Sequence, residues 1–321
     1  MSRPPYIVPA AVIAAAAAAG AAGAAVAAAR RWRAAEDPCA TTVLDLEGAR
    51  AFKVERPDGA VLDGVVVGPG SGATIVLSHC WTGTRATWEP VAARLVAAGC
   101  RVVLYDQRGH GASTMGPDAP TVEALGDDLA AVLDSLDVHD AVLAGHSMGG
   151  MTLQALAVDR PDVVVERVRG MVLAGTAGFG VAAGLLARPV RFVSGDRSVE
   201  RLMAGRLGPA LSRASVGRRP RQAHLVATRD AWLSMPTDVR RQFLLALQAM
   251  DFRAGLARVA VPTTVVVGSR DLLTPPRLGR AIAAAIPGAR LVEVSGAGHM
   301  LPYEEPDLLA ELILAATGGT S

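Results

Sequence analysis

The chain is 321 residues long, half apolar (51%) and moderately charged (19%), with 32 basic against 30 acidic residues and a net charge of +2. That composition belongs to an ordered chain with a large core and excludes a disordered one. The balance of charge, without a basic stripe interleaved with aromatics, gives no reason to expect a nucleic-acid partner.

The chain opens on an unusual segment. Ile7 to Ala29 carries no charge and is long enough to cross a hydrocarbon layer of ~30 Å as a helix, yet it is mostly alanine, with Pro9, Gly20 and Gly23 among it. Three readings compete. A secretory signal wants a basic start and a cleavage point of small residues. Here only Arg3 and the amino terminus precede the run, while Arg30, Arg31 and Arg33 follow it. This asymmetry favours a single-pass membrane anchor at residues 7–29 with the rest of the chain on the cytoplasmic side, a secreted form being the alternative. The third reading is an Ala-rich extension of biased composition. Residues 34–42 read as a linker, since Pro38 breaks any helix.

Beyond Thr41, short β-rich runs alternate with longer helical ones. Ala51–Val54 and Val61–Val67 flank the turn Pro57-Asp58-Gly59 and predict an antiparallel hairpin. Thr74–Ser78 and Arg101–Tyr105 are apolar runs of the kind found in buried parallel strands. Between them, a helix is predicted from Trp88 to Ala98 with Thr87 as N-cap. Val122, Leu125, Leu129, Val132 and Leu136 line one face of the next helix. Ala141–Ala144 is a strand, followed by a helix from Met148 to Val158; Met171–Ala174, Thr264–Val267 and Leu291–Val294 complete the series. Such alternation predicts an α/β fold, with a mostly parallel sheet and helices on both faces. One gap breaks the rhythm. Between Gly175 and Thr263 there is no clear strand, only helical fragments at Leu185–Leu186, Leu202–Met203 and Phe243–Met250, which predict an inserted helical cap over the sheet's C-terminal edge.

The chemistry concentrates at three places. Gly145-His146-Ser147-Met148-Gly149 joins a buried strand to a helix, and glycine tolerates the crowding and strained dihedrals of such a turn, exposing the serine hydroxyl. A serine needs a base to accept its proton, and His299, in Ser295-Gly296-Ala297-Gly298-His299, follows the last strand. Asp271, in Gly268-Ser269-Arg270-Asp271, follows the strand before it, where a carboxylate can orient the imidazole. The order Ser147, Asp271, His299 is the one this architecture uses. Against this stand a chance Gly-x-Ser-x-Gly in a chain with 34 glycines, a surface loop histidine, and an aspartate capping the turn at Thr274-Pro275-Pro276.

Gly-His-Ser-Met-Gly-Gly at 145–150, Asp-Gln-Arg-Gly-His-Gly-Ala-Ser at 106–113, Gly-Ser-Arg-Asp at 268–271 and Gly-Ala-Gly-His at 296–299 together resemble the α/β-hydrolase superfamily, and within it the capped serine esterases and lipases, monoglyceride-lipase-like enzymes included. The resemblance runs from about Val61 to the helix near Ala316. It implies a structural role for 106–113, so that His110 is not catalytic; nor is His146, at the variable elbow position. It also implies an oxyanion hole built from the backbone N–H groups of Met148 and of Trp81, the latter in the loop after the 74–78 strand. There the family has His-Gly before the donor, whereas this chain has His79-Cys80-Trp81, which puts the backbone conformation in question and sets a thiol beside the site. No histidine partner for Cys80 can be identified, His79 being merely its neighbour in sequence.

The expectation is therefore an ester-cleaving serine hydrolase acting through an acyl-enzyme on a small-molecule ester. An apolar or lipid-derived acyl group is attractive, given the anchor and the apolar stretch Val181 to Leu186. Perhydrolysis without a cofactor, carbon–carbon bond hydrolysis, lactone cleavage and acyl transfer use the same triad, and a ligand-binding protein without turnover is the competing class. Cys39, Cys80 and Cys100 make no disulfide framework and the six histidines show no metal spacing, so neither metal nor cofactor is expected. Arg218, Arg219 and Arg221 read as solvated surface. The expected organisation is an anchor or signal-like segment at 1–33, the linker at 34–42, a hydrolase core at 43–176 and 261–321, and a cap at 177–260.

Overall fold

A computed structural model describes residues 48–179, 197–206, 208–218 and 221–318. The expected anchor at 7–29, the linker at 34–42, Cys39, Arg219 and Leu185–Leu186 lie outside the described residues. Among the described residues no helix is long and apolar enough to cross a membrane.

The predicted hairpin forms from β1 (Arg50–Glu55) and β2 (Val61–Val67), which pair antiparallel. Its turn is closed by Asp58, whose Oδ1 accepts the Ala60 N–H at 3.0 Å, and by Gly59 in the left-handed region at φ 86°. β3 (Thr74–Ser78), β4 (Arg101–Tyr105), β5 (Ala141–His146), β6 (Val168–Ala174), β7 (Thr263–Gly268) and β8 (Arg290–Val294) join the hairpin in one sheet of order β1-β2-β4-β3-β5-β6-β7-β8. Only β2 runs against its neighbours; the pairings among β3 to β8 are parallel.

Both faces of this sheet are covered, which is why its strands read as continuous apolar runs. Ile75, Leu77, Val102 and Leu104 point to one side, against Val91 and Leu95 of α1 (Glu89–Ala97) and Leu309 and Ile313 of the helix Pro306–Ala316. Val76, Val103, Leu143 and Leu173 point to the other, against Leu125 and Leu129 of α2 (Val122–Ser135) and Met151 and Leu156 of α3 (Met148–Asp159). Each such fully buried side chain contributes about 1.5–3 kcal/mol.

One helix start differs from the sequence expectation. Thr87 does not cap α1: a 3-10 turn, Arg85–Trp88, precedes it, and the side chain of Thr84 caps that turn by accepting the Ala86 N–H. The reason is Trp88, which is wholly buried and donates its Nε1–H to the Ser78 carbonyl at 2.9 Å. This anchor fixes Trp88 against the end of β3, so α1 can start only after it.

Between β6 and β7 the described residues form helices, among them Arg197–Ala204, Gln222–Ser234 and Thr237–Ala249. A buried Arg240 holds them together. Its guanidinium lies 3.6 Å from the Trp232 ring centroid, donates to the Trp232 carbonyl at 2.7 Å and reaches Glu200 Oε1 at 2.7 Å.

Candidate active site

The turn between β5 and α3 carries Ser147 at φ 53° and ψ −114°, a conformation that side-chain-bearing residues rarely adopt. Its surroundings explain how the strain is held. The Ser147 N–H donates to the Ala174 carbonyl at 2.9 Å, and the Ser147 carbonyl accepts the Thr176 hydroxyl at 2.7 Å. The flanking glycines are required by space rather than by flexibility. A Cβ on Gly145 would lie 2.4 Å from the Gly149 carbonyl oxygen, and one on Gly149 would lie 2.0 Å from that of Ser78. Helix α3 thereby packs its first turn directly against the end of β3. Met148 is its first residue, so the Met148 N–H has no acceptor within the helix, and the helix dipole favours negative charge in front of it.

The loops after β7 and β8 bring Asp271 and His299 together. His299 Nδ1 lies 2.8 Å from Asp271 Oδ2, both residues being buried. The other oxygen, Oδ1, accepts the N–H groups of Leu273 and Thr274, each at 2.8 Å, and Thr274 Oγ1 lies 2.6 Å from Oδ2. Burial alone would raise the Asp271 carboxyl, but His299 and these donors outweigh it and bring the carboxyl below its ordinary value. An ionised Asp271 then fixes the tautomer with Nδ1 protonated and leaves His299 Nε2 as the basic atom. No hydrogen bond joins the Ser147 hydroxyl to His299 among the described residues; such bonds commonly tighten only once substrate is bound.

The loop after β3 is held by side chains that the sequence reading did not connect. His79 Nδ1 lies 2.8 Å from the Cys80 carbonyl, and His79 Nε2 accepts the Gln107 N–H at 2.9 Å, which fixes the ring as neutral with Nδ1 protonated. Burial pulls the His79 imidazole down to about 4. Gln107 donates from Nε2 to the His79 carbonyl at 2.6 Å and accepts the Thr152 hydroxyl of α3 at 2.6 Å. The Cys80 carbonyl also accepts the Gly83 N–H at 3.0 Å. This carbonyl and the Trp81 N–H belong to one planar peptide, so two donors on the oxygen fix the direction of the N–H and polarise it. His79 is therefore tied to Trp81 through the intervening peptide, and α3 is tied to the same loop through Thr152 and Gln107.

Cysteine in place of glycine at position 80 is explained by the backbone. The left-handed residue of the loop is Thr82, at φ 62°, while Cys80 is not among the positive-φ residues. The thiol is buried beside Val216, Leu225 and Met300, and burial pushes it up to about 11, so it stays protonated and unreactive at neutral pH. His110 is also buried and structural: Nδ1 lies 2.9 Å from the Arg108 carbonyl and Nε2 accepts the Thr82 N–H at 3.3 Å. Arg108 itself grips Asp128 with two hydrogen bonds of 2.6 Å. The segment 106–113 thus braces the loop that carries Trp81.

Residues 73–306 match the family model for the alpha/beta hydrolase fold. A protein of Azorhizobium caulinodans that carries the provisional name carbamate hydrolase RutD is 31% identical over 257 residues, covering 78% of this chain and 92% of that one. The 2-hydroxy-6-oxononadienedioate/2-hydroxy-6-oxononatrienedioate hydrolase of Cupriavidus pinatubonensis is 29% identical over 284 residues, covering 85% and 93%. Among solved structures, a hydrolase from Pseudomonas aeruginosa superposes with a TM-score of 0.71 at 30% identity, over 84% of this chain and 99% of that one. The enol-lactonase of Burkholderia xenovorans superposes with a TM-score of 0.70 at 27% identity, over 84% of this chain and all of the other (100%).

Proposed function

This chain belongs to the alpha/beta hydrolase fold family, and from that premise we propose that it is a serine hydrolase that cleaves carboxylic esters through an acyl-enzyme. Ser147 is the nucleophile, His299 the base, Asp271 the acid that orients the base, and the N–H groups of Met148 and Trp81 are the oxyanion donors. The observation that carries the reading is the 2.8 Å contact between Asp271 Oδ2 and His299 Nδ1, with a strained serine at the strand-to-helix turn.

In the first half-reaction Ser147 Oγ attacks the ester carbonyl carbon while its proton passes to His299 Nε2. The oxyanion that forms faces the Met148 and Trp81 N–H groups. Collapse of the intermediate breaks the carbon–oxygen bond to the alcohol, which takes the proton from Nε2. In the second half-reaction water attacks the acyl-enzyme with His299 again as base, releasing the acid and restoring Ser147. Asp271 stays ionised throughout and stabilises the imidazolium.

Residues 177–260 are read as a helical cap over this centre, with 43–176 and 261–321 as the core. An apolar acyl group, and the branch of capped lipases that includes monoglyceride-lipase-like enzymes, is the finer assignment. The enol-lactonase and the 2-hydroxy-6-oxononadienedioate/2-hydroxy-6-oxononatrienedioate hydrolase among the similar proteins favour one second reading, in which the same triad attacks a lactone or a ketone carbonyl. The membrane anchor at 7–29 rests on the sequence; partition of the full chain into membranes, lost on removal of residues 1–33, is its test.

The deciding experiment is turnover of p-nitrophenyl esters of increasing chain length, of a lactone and of a vinylogous diketone by the full chain and by Ser147→Ala. The expected result is ester turnover that the substitution lowers by about 10³-fold or more. Turnover of the lactone or diketone alone replaces the ester reading with the second one. A folded protein that turns over none of them sinks both.

A further inference from the structure

The loop that carries His299 is clamped from the far side by a segment of the inter-strand helical region, and the clamp is built around one carboxylate. Glu304 lies in the short helix Leu301–Glu304, which starts two residues after His299. Its Oε2 accepts two backbone N–H groups, that of Gly217 at 2.6 Å and that of Gly298 at 3.0 Å. The first belongs to the region between β6 and β7, the second to the residue before His299.

Around this carboxylate the two backbones run against each other. The His299 N–H and the Met300 N–H both donate to the Ser215 carbonyl, at 2.9 and 3.1 Å, and the Arg218 N–H donates to the Gly296 carbonyl at 2.8 Å. Val216 packs with Met300 and Cys80 in a small buried cluster. The approach is so close that only glycines fit. A Cβ on Gly217 would lie 2.1 Å from the Gly296 carbonyl oxygen, and a Cβ on Gly298 would lie 2.4 Å from the Gly217 nitrogen. Two backbone segments meeting this closely present N–H groups that need an acceptor, and a single carboxylate oxygen supplies it for both sides. Burial pushes the Glu304 carboxyl above its ordinary value, and the N–H groups of Gly298 and Gly217 oppose that shift.

We propose that Glu304 is a positioning residue that latches the 215–218 segment to the 296–299 loop, so that docking of the helical region and placement of the His299 imidazole are one event. This rests on the reading of His299 as the base. Glu304 has no contact with the reacting atoms in this scheme. It acts through the backbone of residue 298, one peptide away from the residue whose ring must meet Ser147, and a base displaced by about 1 Å loses on the order of 10²-fold in rate.

The test uses three variants of the full chain: Glu304→Ala, Glu304→Gln and Gly217→Ala. Each is assayed for kcat and KM on p-nitrophenyl acetate, and for hydrogen exchange in peptides covering 213–218 and 294–300. Glu304→Ala is expected to lower kcat by about tenfold or more with KM changed little, and to speed exchange in both peptides. Glu304→Gln, whose amide oxygen still accepts, should recover most of that loss. Gly217→Ala should reproduce the loss from the other side of the contact, and keeps the test decisive if Glu304→Ala fails to fold. The latch is overturned if a folded Glu304→Ala keeps kcat within twofold of the parent or leaves exchange in the 294–300 peptide unchanged, whatever Gly217→Ala does, or, should Glu304→Ala not fold, if Gly217→Ala keeps kcat within twofold. Absence of turnover in the parent would count against the hydrolase reading instead, and the exchange data would still judge the latch.

Discussion

The backbone carbonyl of His299 accepts the Nε2 hydrogen of His146 at 2.7 Å, and the two rings lie 4.9 Å apart. The residue ahead of Ser147 thus grips the residue proposed to deprotonate it, across 153 positions of chain. His146 is fully buried, and burial, reinforced by the neighbouring His299, pulls its imidazole down to about 3, so it remains a neutral donor at any working pH. It links the two loops without taking part in proton transfer.

Replacing His146 by alanine removes this donor and leaves a cavity between the loops. The expected cost is about 2–4 kcal/mol of stability, read from the urea midpoint, together with a fall in kcat of about tenfold. Unchanged kcat in the folded variant would show that the 296–299 loop holds its place without the bond.

The Gln107 side chain is the hub between the His79 carbonyl and the Thr152 hydroxyl, so Gln107→Leu cuts the tie between α3 and the loop that carries Trp81, while the backbone N–H of residue 107 still holds the His79 ring. The Trp81 N–H, as the proposed oxyanion donor, acts on the transition state more than on bound substrate, which places the loss in kcat. A drop in kcat of about 10- to 100-fold with KM nearly constant is expected from steady-state kinetics. A change confined to KM would mean that the loop shapes the binding pocket rather than the oxyanion hole.

Asp271→Asn keeps the shape of the site but offers an amide where His299 needs an ionised acceptor. The wrong tautomer then places a proton on Nε2, and kcat is expected to fall by about 10⁴-fold while the urea midpoint moves little. A variant with more than a tenth of the parent's kcat would remove Asp271 from the proposed triad.

His79, His110 and His146 are each buried and neutral, with imidazoles pulled down by burial to about 4, 3 and 3. Unfolded, each binds a proton below pH ~6.5. Because the folded values are depressed, this stability is fully present above pH ~6.5 and is lost as pH falls toward 4. Up to three protons taken up on unfolding give a slope of at most ~4 kcal/mol per pH unit in that window. Urea titrations at pH 7, 6 and 5 should show the midpoint falling steeply, and a midpoint flat across those values would contradict the buried, neutral assignment.

The strands, most of their flanking helices and the three loops that carry Ser147, Asp271 and His299 are legible in the sequence. Those features are local: apolar alternation, a glycine-flanked serine between strand and helix, and polar residues just past strand ends all follow from short-range geometry. The family motifs also point to Trp81 and Met148, the proposed oxyanion donors. What the sequence did not show were the residues that hold these groups still. In the sequence His79 is only a neighbour of Cys80, His146 fills a variable position, and Thr87 looks like a helix cap, whereas Thr84 caps a 3-10 turn that ends at buried Trp88. Glu304 carried no signal, because its two acceptor contacts join residues 217 and 298, which meet only in the folded chain. These roles exist only in the folded chain. A hydrogen bond between distant segments depends on where the sheet order places their loops, whereas hydrophobic periodicity records only which face of each element is turned inward.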